Sequence, residues 1–86
     1  MISVIIVSYN VELYLKQCIE SIFKSINSKF LEIIIVDNYS YDNSISMLKN
    51  NFKNIKIIEN KKNIGFSSAA NIGIKNSKGN YICLIN

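Results

Sequence analysis

Four apolar runs punctuate the chain: ISVIIVS (Ile2 to Ser8), EIIIVD (Glu32 to Asp37), IKIIE (Ile55 to Glu59) and YICLI (Tyr81 to Ile85). The first two are nearly continuous Ile and Val. They lack the polar alternation of a sheet with one wet face, so they predict strands buried on both sides, as parallel strands are. Helical periodicity fills the gaps between runs. Val11, Leu15, Cys18, Ile19, Ile22 and Ile26 fall on one stripe, with Lys16, Glu20 and Lys24 opposite. Asn10 stands before it as a candidate N-cap. Tyr41, Ile45, Leu48 and Phe52 form a second stripe, with Ser40 as candidate N-cap and Asp42 in the first turn, where the helix dipole favours an acid. In the third stretch Phe66, Ala69, Ala70 and Gly73 make a small-residue face able to approach a sheet closely, and Gly79 is a stop signal.

The predicted order is β-α-β-α-β-α-β. Short links between alternating elements imply right-handed crossovers and a parallel sheet with helices on both faces. The fold class is thus α/β, a Rossmann-like three-layer α/β/α arrangement. No Pro/Gly-rich linker or repeat divides residues 1–86, so they read as part of a single domain. The fourth strand has no covering helix after it, and the chain is expected to be the front of a longer domain. At 86 residues it would bury roughly 60% of its unfolded surface. Its apolar runs fall far short of the ~20 residues of a membrane span. The first run has no basic residues before it and no small-residue cleavage site after it. It reads as a strand, and the chain is expected to be cytoplasmic.

Composition narrows the chemistry. The net charge of +4 comes from Lys alone, with no Arg and no His. Lysines are spread along the chain, a solvated-surface pattern, and the bidentate base readers of nucleic-acid proteins are missing. No nucleic-acid partner is expected. His-based acid–base catalysis and His metal ligation are excluded within this sequence. Cys18 and Cys83 have no CxxC spacing and sit among apolar residues, so they read as buried reduced thiols.

In open parallel sheets, ligands bind beyond the carboxyl ends of the strands. Those ends carry Ser8-Tyr9-Asn10, Asp37-Asn38, Glu59-Asn60 and Asn86. An aromatic face at Tyr9 beside a carboxylate at Asp37 suits a nucleobase, the ring stacking and the N–H groups reaching the acid. No G-x-G-x-x-G follows the first strand and no Walker A motif occurs. A phospho-receiver would need an acidic pair after the first strand, which Ser8-Tyr9-Asn10 does not supply.

Four segments, in order, carry a family resemblance. SVIIVSYNVELYLKQCIESI resembles the opening strand and helix of family 2 glycosyltransferases with the GT-A fold. IIIVDNYSYDNS is similar to that family's VDDGSTDGT, NKKNIGFSSAANIGI to its N-x-G-x-x-x-A-R-N-x-G, and GNYICLIN to the strand leading into its metal-binding D-x-D. The resemblance covers nearly all of the chain. It implies the N-terminal nucleotide-binding half of such an enzyme, with strand order 3-2-1-4. It also implies inverting sugar transfer from an NDP-sugar (UDP- or dTDP-linked) to a glycan or lipid-linked acceptor, for cell-wall or polysaccharide assembly. Mg2+ or Mn2+ would serve as the divalent metal, and peripheral association with the inner face of a membrane is compatible with it.

Under the resemblance, Ser8, Tyr9 and Asn10 line the base and ribose pocket. Asp37 accepts from the base N–H and Asn38 lies beside it. Asn63, Gly65 and Asn71 shape the loop and helix against the nucleotide, and Asn86 falls at the first position of D-x-D. The catalytic base and the metal-binding Asp are expected beyond residue 86, so no catalytic residue is assigned and this segment alone would not turn over. Three positions depart from the family pattern: Asn38 for the second acid, Tyr39 for Gly, and Ala70 for Arg. They look closest to the rhamnosyltransferase-like subset.

Several residues keep two readings. Asp37 is a base reader or a plain loop cap, and Glu12 a ribose contact or a helix cap. Asn63 and Gly65 are ligand contacts or the turn that opens the third helix. Asp42 belongs with its helix. The whole chain, too, has an alternative as a non-catalytic or degenerate α/β binding module.

Overall fold

The computed structural model describes residues 1–86. Four strands, β1 (Ile2–Ser8), β2 (Leu31–Asp37), β3 (Ile55–Glu59) and β4 (Tyr81–Ile85), alternate with α1 (Glu12–Ser25), α2 (Ser44–Asn51) and α3 (Phe66–Lys75). The sheet is wholly parallel in the order β3-β2-β1-β4. This is the expected architecture and order.

The central pair explains the unbroken Ile/Val runs. Val4, Ile6, Ile33 and Ile35 pack with Leu15 and Ile19 of α1 and Met47 and Leu48 of α2. Their alternates Ile5, Ile34 and Val36 face the other way, against Ala69 of α3. Successive side chains of a strand point to opposite faces, so two packed layers demand apolar residues at every position. On the α3 side the small residues do what their size suggests. Ala69, Ala70 and Gly73 are buried, and a Cβ placed on Gly73 would stand 2.4 Å from Cγ2 of Ile5.

The helix starts differ from expectation. Asn10 does not cap α1; Val11 holds that position without a side-chain bond, and Asn10 sits in the left-handed region at φ 52°. The second helix begins at Ser44, not after Ser40, and Tyr41 is 83% exposed rather than part of a buried stripe. Ser40 and Asp42 are instead spent on tying the loop after β2 to the start of α1, by accepting from the N–H groups of Asn10 and Glu12. A short 3-10 turn at Ser28–Phe30, capped by Asn27 Oδ1 accepting from Lys29 N–H, precedes β2.

Gly79 does not end α3, which stops at Lys75 with Asn76 as its C-cap. It serves the approach to β4 instead. Its N–H donates to Ser3 Oγ at 2.9 Å, and a Cβ there would meet Ser3 Oγ at 2.5 Å and Ser3 N at 2.7 Å. Glu32 secures the same corner, accepting from Ser3 Oγ at 2.7 Å and Lys78 N–H at 2.9 Å. Burial alone would raise its pKa. The Lys78 N–H, the Ser3 hydroxyl, and the charges of Lys78 and Lys56 outweigh burial and hold it below the ordinary value.

β4 is paired on one edge only, and Tyr81, Ile82, Cys83 and Leu84 are exposed. Cys83 is therefore not buried, while Cys18 is half-buried; both are free thiols. Burial, then the neighbouring Cys83, raises the pKa of Cys18, which disfavours the nucleophilic thiolate.

Candidate nucleotide site

The chain runs outward from β1 through β2 to β3, then returns to place β4 on the far side of β1. That reversal is the switch point at which parallel sheets open a crevice. A cleft of about 690 Å³ lies there, within the roughly 300–1,000 Å³ of small-molecule sites. Ser8 and Tyr9 at the end of β1, Asn86 after β4, and Asn38, Asn63 and Gly65 from the neighbouring loops supply its polar groups. Ile6, Val7 and Ile85 come from the strands. Val11, Tyr14, Leu15 and Cys18 descend from one side and Phe66 from the other. No Asp, Glu or Lys lines it.

Six of the ten residues expected in the pocket meet in this cleft: Ser8, Tyr9, Asn38, Asn63, Gly65 and Asn86. Asn71 lies exposed on α3 outside it, and Glu12 borders a separate polar groove between α1 and α2. Asn10 and Asp37 stand behind the lining as builders. Tyr14 and Phe66 went unrecognised in the sequence. The signal for Tyr14 was available: it shares the spacing 11, 14, 15, 18, and the first turn of that stripe overhangs the sheet edge.

Asp37 is 2% exposed. Its Oδ1 accepts from Ser8 Oγ at 3.2 Å and from Ser40 Oγ, and its Oδ2 accepts from Ser40 N–H at 2.8 Å. This is the geometry of the loop-cap reading: the carboxylate knits β1 to the loop after β2. Ser40 Oγ in turn accepts from Asn10 N–H at 2.9 Å, and Asn10 Oδ1 accepts from Tyr41 N–H at 2.9 Å. Asp42 completes the clamp. Its Oδ2 accepts from Glu12 N–H at 3.3 Å while Oδ1 accepts from the N–H and hydroxyl of Ser44. It sits before α2, not in its first turn, and caps the starts of two helices. Burial would raise its pKa; the Ser44 hydroxyl, the Ser44 N–H and the Glu12 N–H together lower it. The clamp sets Tyr9 at the mouth, 42% exposed, with its ring edge-on to Tyr41 at 6.2 Å between centroids.

The other wall is built of amides. Asn63 Oδ1 accepts from Gly65 N–H at 2.9 Å, forming the turn that opens α3. Asn38, 3% exposed, donates from Nδ2 to the Gly65 carbonyl at 3.1 Å and accepts from Asn60 Nδ2 at 2.9 Å. No three His, Cys, Asp or Glu side chains gather to hold a metal. With no carboxylate in the lining either, the residues present do not fit a divalent-cation site.

Residues 3–86 match the family described as glycosyl transferase family 2. The chain belongs to that family. Among its relatives is an uncharacterized glycosyltransferase of Haemophilus influenzae, 39% identical over 94% of this chain and 26% of its own length. The minor teichoic acid biosynthesis protein GgaB of Bacillus subtilis is 40% identical over 93% of this chain and 9% of its own. The crystal structure of S. aureus TarS in complex with UDP-GlcNAc superposes with a TM-score of 0.88 at 25% identity, covering 98% of this chain and 25% of that one. The fold also matches a mannosyltransferase of Pyrobaculum calidifontis in complex with GDP-Man and Mn2+, at a TM-score of 0.86 and 20% identity, over 94% of this chain and 25% of that one. The family 2 chain thus spans about a quarter or less of these proteins. Its sheet is the N-terminal portion of the GT-A fold seen in TarS.

Proposed function

We propose that this family 2 chain supplies the donor-nucleotide half of an inverting glycosyltransferase. The observation that carries the proposal is the cleft at the β1/β4 switch point, with an exposed Tyr9 at its mouth and neutral hydrogen-bonding groups along its walls. The UDP-GlcNAc and UDP complexes of the TarS structures support a nucleotide-sugar ligand. Tyr9 provides a stacking face for the base. The exposed amides of Asn63 and Asn86 offer donors and acceptors to base, ribose and sugar hydroxyls, while Ser8 and Asn38, bonded to Asp37, Gly65 and Asn60, shape the wall behind them. Asp37 acts by holding Ser8 and the loop behind Tyr9, rather than by presenting a free carboxylate. The base that deprotonates the acceptor hydroxyl, and the acidic ligands of Mg2+ or Mn2+, would come from residues other than these.

The finer assignments rest on the sequence pattern: UDP or dTDP as carrier, a glycan or lipid-linked acceptor, the rhamnosyltransferase-like subset, and a cytoplasmic site beside a membrane. Calorimetry on the full chain with UDP, dTDP and GDP tests the core of the proposal. Binding of a uridine or thymidine diphosphate is expected. Tyr9→Ala should weaken it about fivefold or more, since stacking on an aromatic is worth about 1–3 kcal/mol per base. Absence of binding to all three nucleotides would overturn it.

A further inference from the structure

The Gly65 carbonyl can only accept, and this fixes two side chains in sequence. Asn38 must turn its Nδ2 toward Gly65 O, 3.1 Å away. Its Oδ1 is thereby aimed at Asn60, which must present Nδ2 in reply, at 2.9 Å. The backbone extends the tie: Asn60 N–H donates to Asp37 O at 2.9 Å and Asn38 N–H to Ser8 O at 2.8 Å. Through two amide side chains, the ends of β2 and β3 are joined to the turn that opens α3. Ile64 anchors one side of that turn against the Ile5, Ile34, Val36 and Ala69 cluster. Gly65 itself has no such anchor: it lies at φ 82°, and a Cβ built on it would meet nothing within 4 Å. Its peptide groups are held by hydrogen bonds: Asn63 Oδ1 on its N–H, and Asn38 Nδ2 with Ala69 N–H on its carbonyl.

We propose that Asn60, which does not line the cleft, is a positioning residue for it. Acting through Asn38, Asn60 fixes the Gly65 turn and the wall that Asn63, Gly65 and Phe66 present. Its consequence for ligand rests on the nucleotide reading above; its consequence for the turn does not. The pair also accounts for an amide where the family pattern has an acid. Aspartate at 38 has no proton for Gly65 O at neutral pH. Aspartate at 60 would draw the Asn38 Nδ2 to itself and turn Oδ1 against the Gly65 carbonyl.

Asn60→Asp and Asn60→Ala in the full chain test this by two readouts. Without nucleotide, both should shift the side-chain amide NMR signal of Asn38. Both should also speed amide exchange at Gly65 and Ala69, the two amides bonded within the turn, about fivefold to tenfold, the size of one lost hydrogen bond, while Ile5 and Ile34 at the sheet centre keep their rates. With UDP, both should weaken affinity by a similar factor. Unchanged exchange at Gly65 and Ala69 overturns the proposal. So does faster exchange everywhere, Ile5 and Ile34 included, because that is general destabilisation. If the wild type shows no UDP binding yet the ligand-free changes occur, the nucleotide reading fails and the positioning role stands.

Discussion

Two residues where β2 ends carry more structural consequence than their side chains suggest. Tyr39 is 62% exposed and sits at φ 71°, in the left-handed region. That conformation costs a non-glycine residue about 1–2 kcal/mol. The family-type VDDGS pattern has Gly there, and the reason is now visible: the backbone turns left-handed so that Ser40 can reach back to Asp37. Tyr39→Gly should relieve the strain and, after the extra entropy of a glycine, raise stability by about 0.5–1 kcal/mol in urea unfolding. Asp37 is the opposite case. Asp37→Ala strips partners from Ser8, from the Ser40 N–H and from the Ser40 hydroxyl inside the protein. It should cost about 3 kcal/mol or more, measured in the absence of ligand. A loss of nucleotide binding in that variant would therefore not by itself identify Asp37 as a base reader. The sequence showed an acid at the right strand end. It could not show that Ser40, three residues later, would occupy it.

Strands were more legible than helix starts. A run of Ile and Val needs no partner to announce itself, so β1, β3 and β4 match their expected bounds and β2 begins one residue early. The start of α2 depended on where polar side chains would spend their hydrogen bonds. Asp42, Ser40 and Asn10 spend theirs between loops 30 residues apart, a long-range choice that local propensity does not encode. Asp42 links this clamp to pH. Its pKa is lower in the folded chain than its ordinary 3.8. The folded state therefore gains stability above that pH and loses it as the pH falls through the folded value. Asp42→Asn should lower stability at neutral pH and flatten the acid limb below 3.8, followed by thermal melts across pH. On the opposite face, Gly73→Ala gains about 1 kcal/mol of helix propensity. It must also push a methyl into Ile5, which has 0% exposure and little room to move. Overpacking of about 1–3 kcal/mol should win, giving a net lower melting temperature.

At the scale of the molecule, strand order decides where chemistry gathers. With β4 beside β1, the ends of the first and fourth strands meet over a crevice between α1 and α3. Ser8, Tyr9 and Asn86 were therefore readable as cleft-lining residues from their place at strand ends. Asn71 was not, because a position on a helix converts to a direction only once the helix is docked. The radius of gyration, 11.8 Å, is that of a compact chain of this length, about 12 Å. One side of it still exposes the apolar residues of β4. The claim that the switch-point cleft holds the donor nucleotide is tested most directly by an NMR titration of the full chain with UDP. Shifts concentrated at Ser8, Tyr9, Asn38, Asn63 and Gly65, and lost in Tyr9→Ala, are the predicted result. Shifts confined to the α1–α2 groove around Glu12 and Asn50, or none at all, would contradict it.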